Sequence, residues 1–178
     1  MKYKILEQNN NESALFNILN NRGITDPNHY LHTTNNDINS PLLLGEERLQ
    51  KAAKMLTEVI QNNEDAYIIS DADCDGFTSA AILTNYLYRI FPDWVKIHLH
   101  IYIHEGKQHG LADCIDFLLE KHPALVIVPD AGSNDFKEHK RLYEAGIMCF
   151  CLDHHNADIP KDYKYAVIIN NNCNYLED

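Results

Sequence analysis

The chain has no apolar run approaching the roughly 20 residues that a bilayer-spanning helix requires. Its start, Met1-Lys2-Tyr3-Lys4 followed by Glu7 and an Asn tract, lacks the apolar centre of a secretory signal. A cytoplasmic protein with no membrane partner is therefore expected. Positive charge is scarce: 15 Lys and Arg stand against 26 Asp and Glu, a net charge of −11. That balance excludes a protein whose affinity comes from a broad basic surface. It suits a solvated acidic surface, and equally a site that collects divalent cations. The five cysteines, at 74, 114, 149, 151 and 173, show no zinc-knuckle spacing. They read as reduced structural thiols, with Cys149 and Cys151 on one face of a buried strand.

What is present is ordinary for a globular domain. The 178 residues are 45% hydrophobic and 23% charged, enough for one domain with a real core. The first 40 or so residues are Asn-rich and weakly periodic, with a short helix expected over Ser13–Leu19 and turns at Asp26-Pro27 and Ser40-Pro41. From Glu46 to Gln61 the apolar spacing is that of an amphipathic helix. Strands and helices then alternate. Strands are expected at Ala66–Ile69, Val95–Ile103, Ala124–Val128, Ile147–Leu152 and Ala166–Ile169, and helices at Phe77–Phe91, Leu111–Lys121 and Asp135–Ala145. This order implies an α/β fold: a doubly wound, mainly parallel sheet flanked by helices, behind an N-terminal helical or irregular arm. The runs at 124–128 and 147–152 are apolar throughout, as strands are when helices cover both faces. In Val95–Ile103, Ile97, Leu99, Ile101 and Ile103 alternate with His98, His100, Tyr102 and His104, the pattern of an edge strand or of one with a face against a polar layer.

Metal-ligand residues cluster directly after three of these strands: Asp71-Ala72-Asp73-Cys74-Asp75-Gly76, Asp130-Ala131-Gly132 and Asp153-His154-His155. Strand C-termini of an open parallel sheet meet at one edge, where ligands bind. Carboxylates gathered there would raise one another's pKa unless cations neutralised them. Oxygen-rich ligation with one or two imidazoles suits Mn²⁺ or Mg²⁺ better than a closed zinc site. Three rivals are weaker. The first cluster begins like an EF-hand loop, but Ile82 holds the twelfth position, where Glu is required. Asp75 or Asp135 alone could simply cap a helix, which does not account for all three clusters. An aspartyl phospho-acceptor needs a lysine after a later strand, and Lys161 and Lys164 are poorly placed. His98, His100 and His104 read as packed or solvated polar residues. His109, beside Lys107 and Gly110 in a glycine-flanked loop leading into a helix, reads as a phosphate contact.

Asp71 to Ser79 resembles the first motif of RecJ-type DHH phosphoesterases, Asp130-Ala131-Gly132 the second, and Asp153-His154-His155 the triplet that names the family. Glu105 to Leu111 is similar to the family's Glu-Gly-Tyr-Gly-Leu loop, and Asn21-Arg22-Gly23-Ile24 to the RecJ lead-in. The resemblance implies an arm over residues 1–43 and a DHH phosphoesterase domain over 44–178. It implies two divalent cations, Mn²⁺ or Mg²⁺: Asp73 and Asp75 binding one each, Asp130 bridging, and His154 completing a site. His155 would face the scissile phosphate, with Asp153 orienting a histidine. Asp71 would stand in for the histidine ligand of other DHH branches, whose usual place is held here by Ile69. Lys107, His109 and Gly110 would contact substrate.

The implied reaction is phosphodiester hydrolysis, as a 5′ to 3′ exonuclease on single-stranded DNA in replication or repair. Two alternatives stand beside it: a phosphodiesterase for oligonucleotides or cyclic dinucleotides, and a non-catalytic scaffold in a replication or repair assembly. Both are motivated by what the resemblance leaves unmatched. The family's fourth motif, another metal-binding Asp, has no counterpart in context among Asp158, Asp162 and Asp178, and an Asn-rich stretch from Asn170 replaces the usual Asn-Pro. The second, DHH-associated domain is missing as well, so a catalytic-domain fragment or a compact form is expected.

Overall fold

The computed structural model describes residues 13–34, 45–106, 108–160 and 162–175. The turn expected at Ser40-Pro41 lies outside them. The chain divides into two compact units, 1–40 and 41–178. The first holds helix α1, Ala14–Asn21, and helix α2, Pro27–Leu31. Asp26-Pro27 is therefore a helix start and not a turn. The Asp26 side chain accepts from His29 N at 3.0 Å, and Pro27 fills the first helical position, where its missing N–H is not needed.

The second unit is built on five parallel strands. In chain order its main elements are α3 (Glu46–Gln61), β1 (Ala66–Ser70), α4 (Cys74–Ile90), α5 (Pro92–His98), β2 (Leu99–Ile103), α6 (Ile115–Lys121), β3 (Leu125–Pro129), α7 (Phe136–Glu144), β4 (Met148–Asp153), β5 (Ala157–Ile159), β6 (Val167–Asn170) and β7 (Cys173–Tyr175). The sheet order is β2-β1-β3-β4-β6, and every pairing is parallel. β5 and β7 form a separate two-stranded parallel pair. Helices cover both faces. Ile68, Leu125, Ile127, Phe150, Val167 and Ile169 pack with Val59, Ala80, Leu87 and Trp94 on one side. Ile69, Val126, Val128, Cys149 and Cys151 pack with Leu111, Ile115, Leu118 and Leu142 on the other. Alternate residues of each central strand thus enter opposite cores, which is why those strands read as apolar at every position. Among the described residues no helix is long and apolar enough to cross a membrane.

Three expected elements are redrawn. The strand expected over Val95–Ile103 begins only at Leu99, because Pro92 opens helix α5 and Asp93 sits favourably in its first turn. Trp94 and Val95 are buried in the core, and the Trp94 indole donates to Glu64 O at 3.2 Å. His98 therefore ends a helix. β2 is the sheet edge, as its alternation suggests, but the sides are reversed. Ile101 and Ile103 are about half exposed, whereas His100 stacks on Tyr67 and Tyr102 packs on Phe117. The helix expected from Leu111 starts at Ile115, since Gly110 to Cys114 form turns whose backbone is held by side chains elsewhere. α4 starts three residues before Phe77, capped by the Asp73 carboxylate, which accepts from Gly76 N at 2.9 Å. Such a cap is worth about 1 kcal/mol.

Candidate metal centre

Asp71, Asp130 and Asp153 stand at the C-terminal ends of β1, β3 and β4, three adjacent strands. Parallel pairing brings those ends to one edge. Ligand atoms of Asp75, Asp130 and His154 lie within 4.8 Å of one another, and His154 Nε2 is 3.0 Å from Asp130 Oδ1. Asp130 holds a left-handed backbone, φ +71, which costs about 1–2 kcal/mol for a residue with a Cβ. Such strain persists where the surroundings over-determine it, and functional sites are where it collects. Burial raises the Asp130 carboxyl above the ordinary range; His154 and His155 pull it down while Asp73 and Asp75 push it further up. Four of the sequence-predicted residues are therefore close enough to act electrically on Asp130.

The triplet divides by role. Asp153 is buried and its carboxylate is saturated. Oδ1 accepts from His154 N at 2.6 Å, His155 N at 3.0 Å and His155 Nδ1 at 2.8 Å. Oδ2 accepts from Ser133 N at 2.9 Å. Burial alone would push this carboxyl up, but hydrogen bonds from His155 and Ser133 outweigh it and hold it at about 2. In return the Asp153 hydrogen bond raises the His155 imidazole, against some loss from burial, with further help from Asp153, Asp130 and Asp71. Asp153 thus positions two histidines and is not itself free to ligate. The rings of His154 and His155 lie 4.6 Å apart, both exposed.

Asp71 is 3% exposed and is turned to the loop before α6. Its Oδ1 accepts from Gly110 N at 3.0 Å and its Oδ2 lies 3.2 Å from His109 Nδ1. The same loop is held by Asp135, whose Oδ2 accepts from Leu111 N at 2.8 Å, and by His104 Nε2 on Gly110 O at 2.7 Å. Gly110 is left-handed at φ +58, and a Cβ there would collide with the Asp135 carboxylate, so only glycine suits the position. His109, Gly110, Asp71, Ser133, Asp135 and His155 line a cleft of about 510 Å³. Asp71 stands outside the converging set of Asp75, Asp130 and His154, and Asp73 spends one oxygen on its helix cap. Lys107 lies outside the described residues.

Several residues that support the site carry no motif. Asn170 is 4% exposed; its amide donates to Ser133 Oγ and to His155 O, both at 2.8 Å, and accepts from Asn172 N at 2.7 Å. Asn172 in turn reaches His154 O at 3.2 Å and Asn156 Oδ1 at 2.7 Å. The Asn-rich stretch that departs from the family pattern is thus a brace under the triplet loop. The only sequence signal was its place at the end of an apolar strand.

Comparison with known proteins bears on the family and the fold. The family model for the N-terminal domain of the DHH family matches residues 65–175. A protein of Bacillus subtilis strain 168, named as an SPbeta prophage-derived single-strand DNA-specific exonuclease, YorK, is 34% identical over 172 residues. That match spans 96% of this chain and 28% of the relative, so the chain corresponds to little more than a quarter of that protein's length. Among solved structures, an exonuclease RecJ bound to manganese superposes with a TM-score of 0.56 at 25% identity, over 72% of this chain and 32% of that one. The DHH domain of a member of the S1p family of ribosomal proteins gives a TM-score of 0.61 at 23% identity, over 75% of this chain and 36% of that one.

Proposed function

The chain belongs to the DHH family, and we propose that its strand-end centre makes it a divalent-metal-dependent phosphodiester hydrolase acting 5′ to 3′ on single-stranded DNA. One observation carries the reading: Asp75, Asp130 and His154, from two different strand ends and the first turn of α4, present ligand atoms within 4.8 Å of one another. The donor set fits hard divalent cations. It offers carboxylate oxygens and one imidazole, and the Asp130 carboxyl, raised by burial and by Asp73 and Asp75, would be relieved by positive charge. Asp75, Asp130 and His154 would hold one ion, and Asp73 would share a second with Asp130. Mn²⁺ is the preferred identity and Mg²⁺ the alternative. Bound there, the cations would withdraw charge from a phosphoryl oxygen and make water a better nucleophile.

The chain's own groups supply orientation and protons. Asp153 fixes the His155 ring through Nδ1, so Nε2 is the atom that would meet a phosphate, and the ring's raised affinity for a proton suits it to hydrogen-bond a phosphate oxygen. Asp71 holds His109 at the other side of the cleft, where the imidazole would contact substrate, while the single Gly110 N–H is committed to Asp71 and fixes the loop. Single-stranded DNA as substrate is supported by what the 34%-identical relative is named for, and it implies replication or repair in the cytoplasm as the setting.

Release of nucleotides from a 5′-phosphorylated single strand in Mn²⁺ should be abolished by Asp130→Ala. Equal release by the two preparations would overturn the assignment. A second reading, turnover of short oligonucleotides or cyclic dinucleotides, is favoured by the net charge of −11, which offers a long polyanion no clamp. Faster cleavage of a dinucleotide than of a long strand would select it.

A further inference from the structure

Behind the carboxylate centre lies a different donor set. We propose that His139, Cys149 and Cys151 form a second, buried metal site, one that takes a soft divalent cation of the zinc class. The two thiols come from β4, where Cys149 and Cys151 alternate with Phe150. The strand period of two turns both sulfurs into the core shared with α7, while Phe150 enters the opposite one. His139, from α7, is completely buried over them, as is Cys151, and Cys149 is 1% exposed.

The geometry suits a metal. A ring nitrogen of His139 and the two sulfurs lie within 4.8 Å of one another, and His139 Nε2 is 3.4 Å from Cys151 Sγ. Nitrogen and sulfur on a tetrahedral zinc, at about 2.0–2.1 and 2.3 Å from the ion, stand about 3.5 Å apart. The other ring nitrogen, Nδ1, is held by the Tyr163 hydroxyl at 2.6 Å. A polar partner of this kind is what a ligating histidine almost always has, and it leaves Nε2 directed at the sulfurs.

Charge and softness select the ion. Two thiolates and a neutral imidazole around a 2+ ion carry no net charge, whereas a monovalent copper ion would leave a negative charge in a dry core. Thiolates prefer zinc-class ions to Mn²⁺ or Mg²⁺, and none of the three ligands is a carboxylate. The three protein groups supply three of the four positions of a tetrahedral ion. The site also backs onto the catalytic turn. A Cβ at Gly132 would fall 2.8 Å from Cys151 Sγ, and Cys151 precedes Asp153 by one alternation of β4. An ion here would brace the turn carrying Asp130 from inside.

Because the ligands are enclosed, metal must be offered during folding. The whole chain would be unfolded with a chelator and reductant, then refolded with Co²⁺ or with Zn²⁺. The cobalt form should show thiolate-to-metal charge-transfer absorption, which the carboxylates and imidazole of Asp75, Asp130 and His154 cannot produce. Asp130→Ala should keep that band and Cys149→Ala should remove it. In the Asp130→Ala background, about one zinc per chain should survive gel filtration and be lost when Cys149→Ala is added. Absence of the band from refolded wild-type protein, or its persistence in Cys149→Ala, would overturn the site. Should Cys149→Ala fail to fold, zinc-edge absorption of the wild-type chain decides. A shell with two sulfurs supports the proposal, and a shell of oxygen and nitrogen alone rejects it.

Discussion

Asp153→Asn keeps the size of the side chain and removes its charge, so it isolates what the buried carboxylate does. The wild-type group sits at about 2 against an ordinary 3.8. At 1.36 kcal/mol per pKa unit this corresponds to about 2 kcal/mol of folding stability at neutral pH. The sign follows from the depression. The contribution is complete above the unfolded value near 3.8 and is lost as pH falls through the folded value, so about half should remain near pH 3. The asparagine variant loses it at every pH. Its amide nitrogen must also face one of four N–H donors, at a further cost of about 1–3 kcal/mol. Chemical denaturation of both proteins from pH 7 to pH 3 measures the gap, which should be about 3–5 kcal/mol at pH 7 and should narrow by about 1 kcal/mol at pH 3. A gap that stays constant across this range would show that the charge of Asp153 is not what holds the triplet loop, and the account given of its role would fail.

In NMR titration the His155 ring should protonate above the ordinary 6.5 in the wild type and shift back down in Asp153→Asn, since the Asp153 hydrogen bond is the main cause of its elevation; an unmoved midpoint refutes this. The stability that the shift confers is present below 6.5 and is lost as pH rises through the raised value. Asn170→Ala strips one hydrogen bond from the triplet loop at His155 O and one from Ser133, whose N–H holds Asp153, and should destabilise by about 1–3 kcal/mol with a larger proportional loss of activity; full activity in a folded variant counts against the brace. Gly110→Ala forces a Cβ against Asp135 at a left-handed backbone and should weaken substrate binding, seen as a raised KM, together with a loss of about 1–2 kcal/mol in stability. An unchanged KM would remove the loop from the binding surface.

The parallel sheet was legible because the runs 124–128 and 147–152, which supply most of β3 and β4, are apolar throughout, as strands are when covered on both faces. The convergence of Asp75, Asp130 and His154 followed from their places after strands, without any knowledge of distance. Local pattern misled where two periods competed. Val95–Ile103 alternates perfectly as a strand, yet Pro92 and Asp93 start a helix just upstream, and the alternation is used only from Leu99 on. Even there its faces are inverted, because His100 and Tyr102 find Tyr67 and Phe117 to pack on. Ring partners from other elements cannot be read from one strand's hydropathy.

Tertiary hydrogen bonding was the least legible layer. Asp71 sits in a motif of three aspartates and looks equivalent to its neighbours, but β1 ends in such a way that it meets Gly110 N, 39 residues away. Its burial and its two loop partners give it a positioning role that spacing alone could not separate from ligation. The same limit applies along β4. The period of two was enough to put Cys149 and Cys151 on one face, where two thiols among apolar residues read as inert packing. What changes their chemistry is the imidazole of His139, delivered by α7 from ten residues upstream of Cys149 and anchored by Tyr163. A helix laid across a parallel strand decides which of its residues meets the sulfurs through packing on Leu142 and Ile147, so the donor set exists only once both layers have formed. Following the same face outward, Cys149 and Cys151 lie in the dry core, and the buried Asp153 leads to the exposed His154 and His155 at the sheet edge. Depth in the fold thus separates the two donor sets: the thiols with His139 are fully enclosed, and the carboxylates Asp75 and Asp130 with His154 stand where water can share their charge.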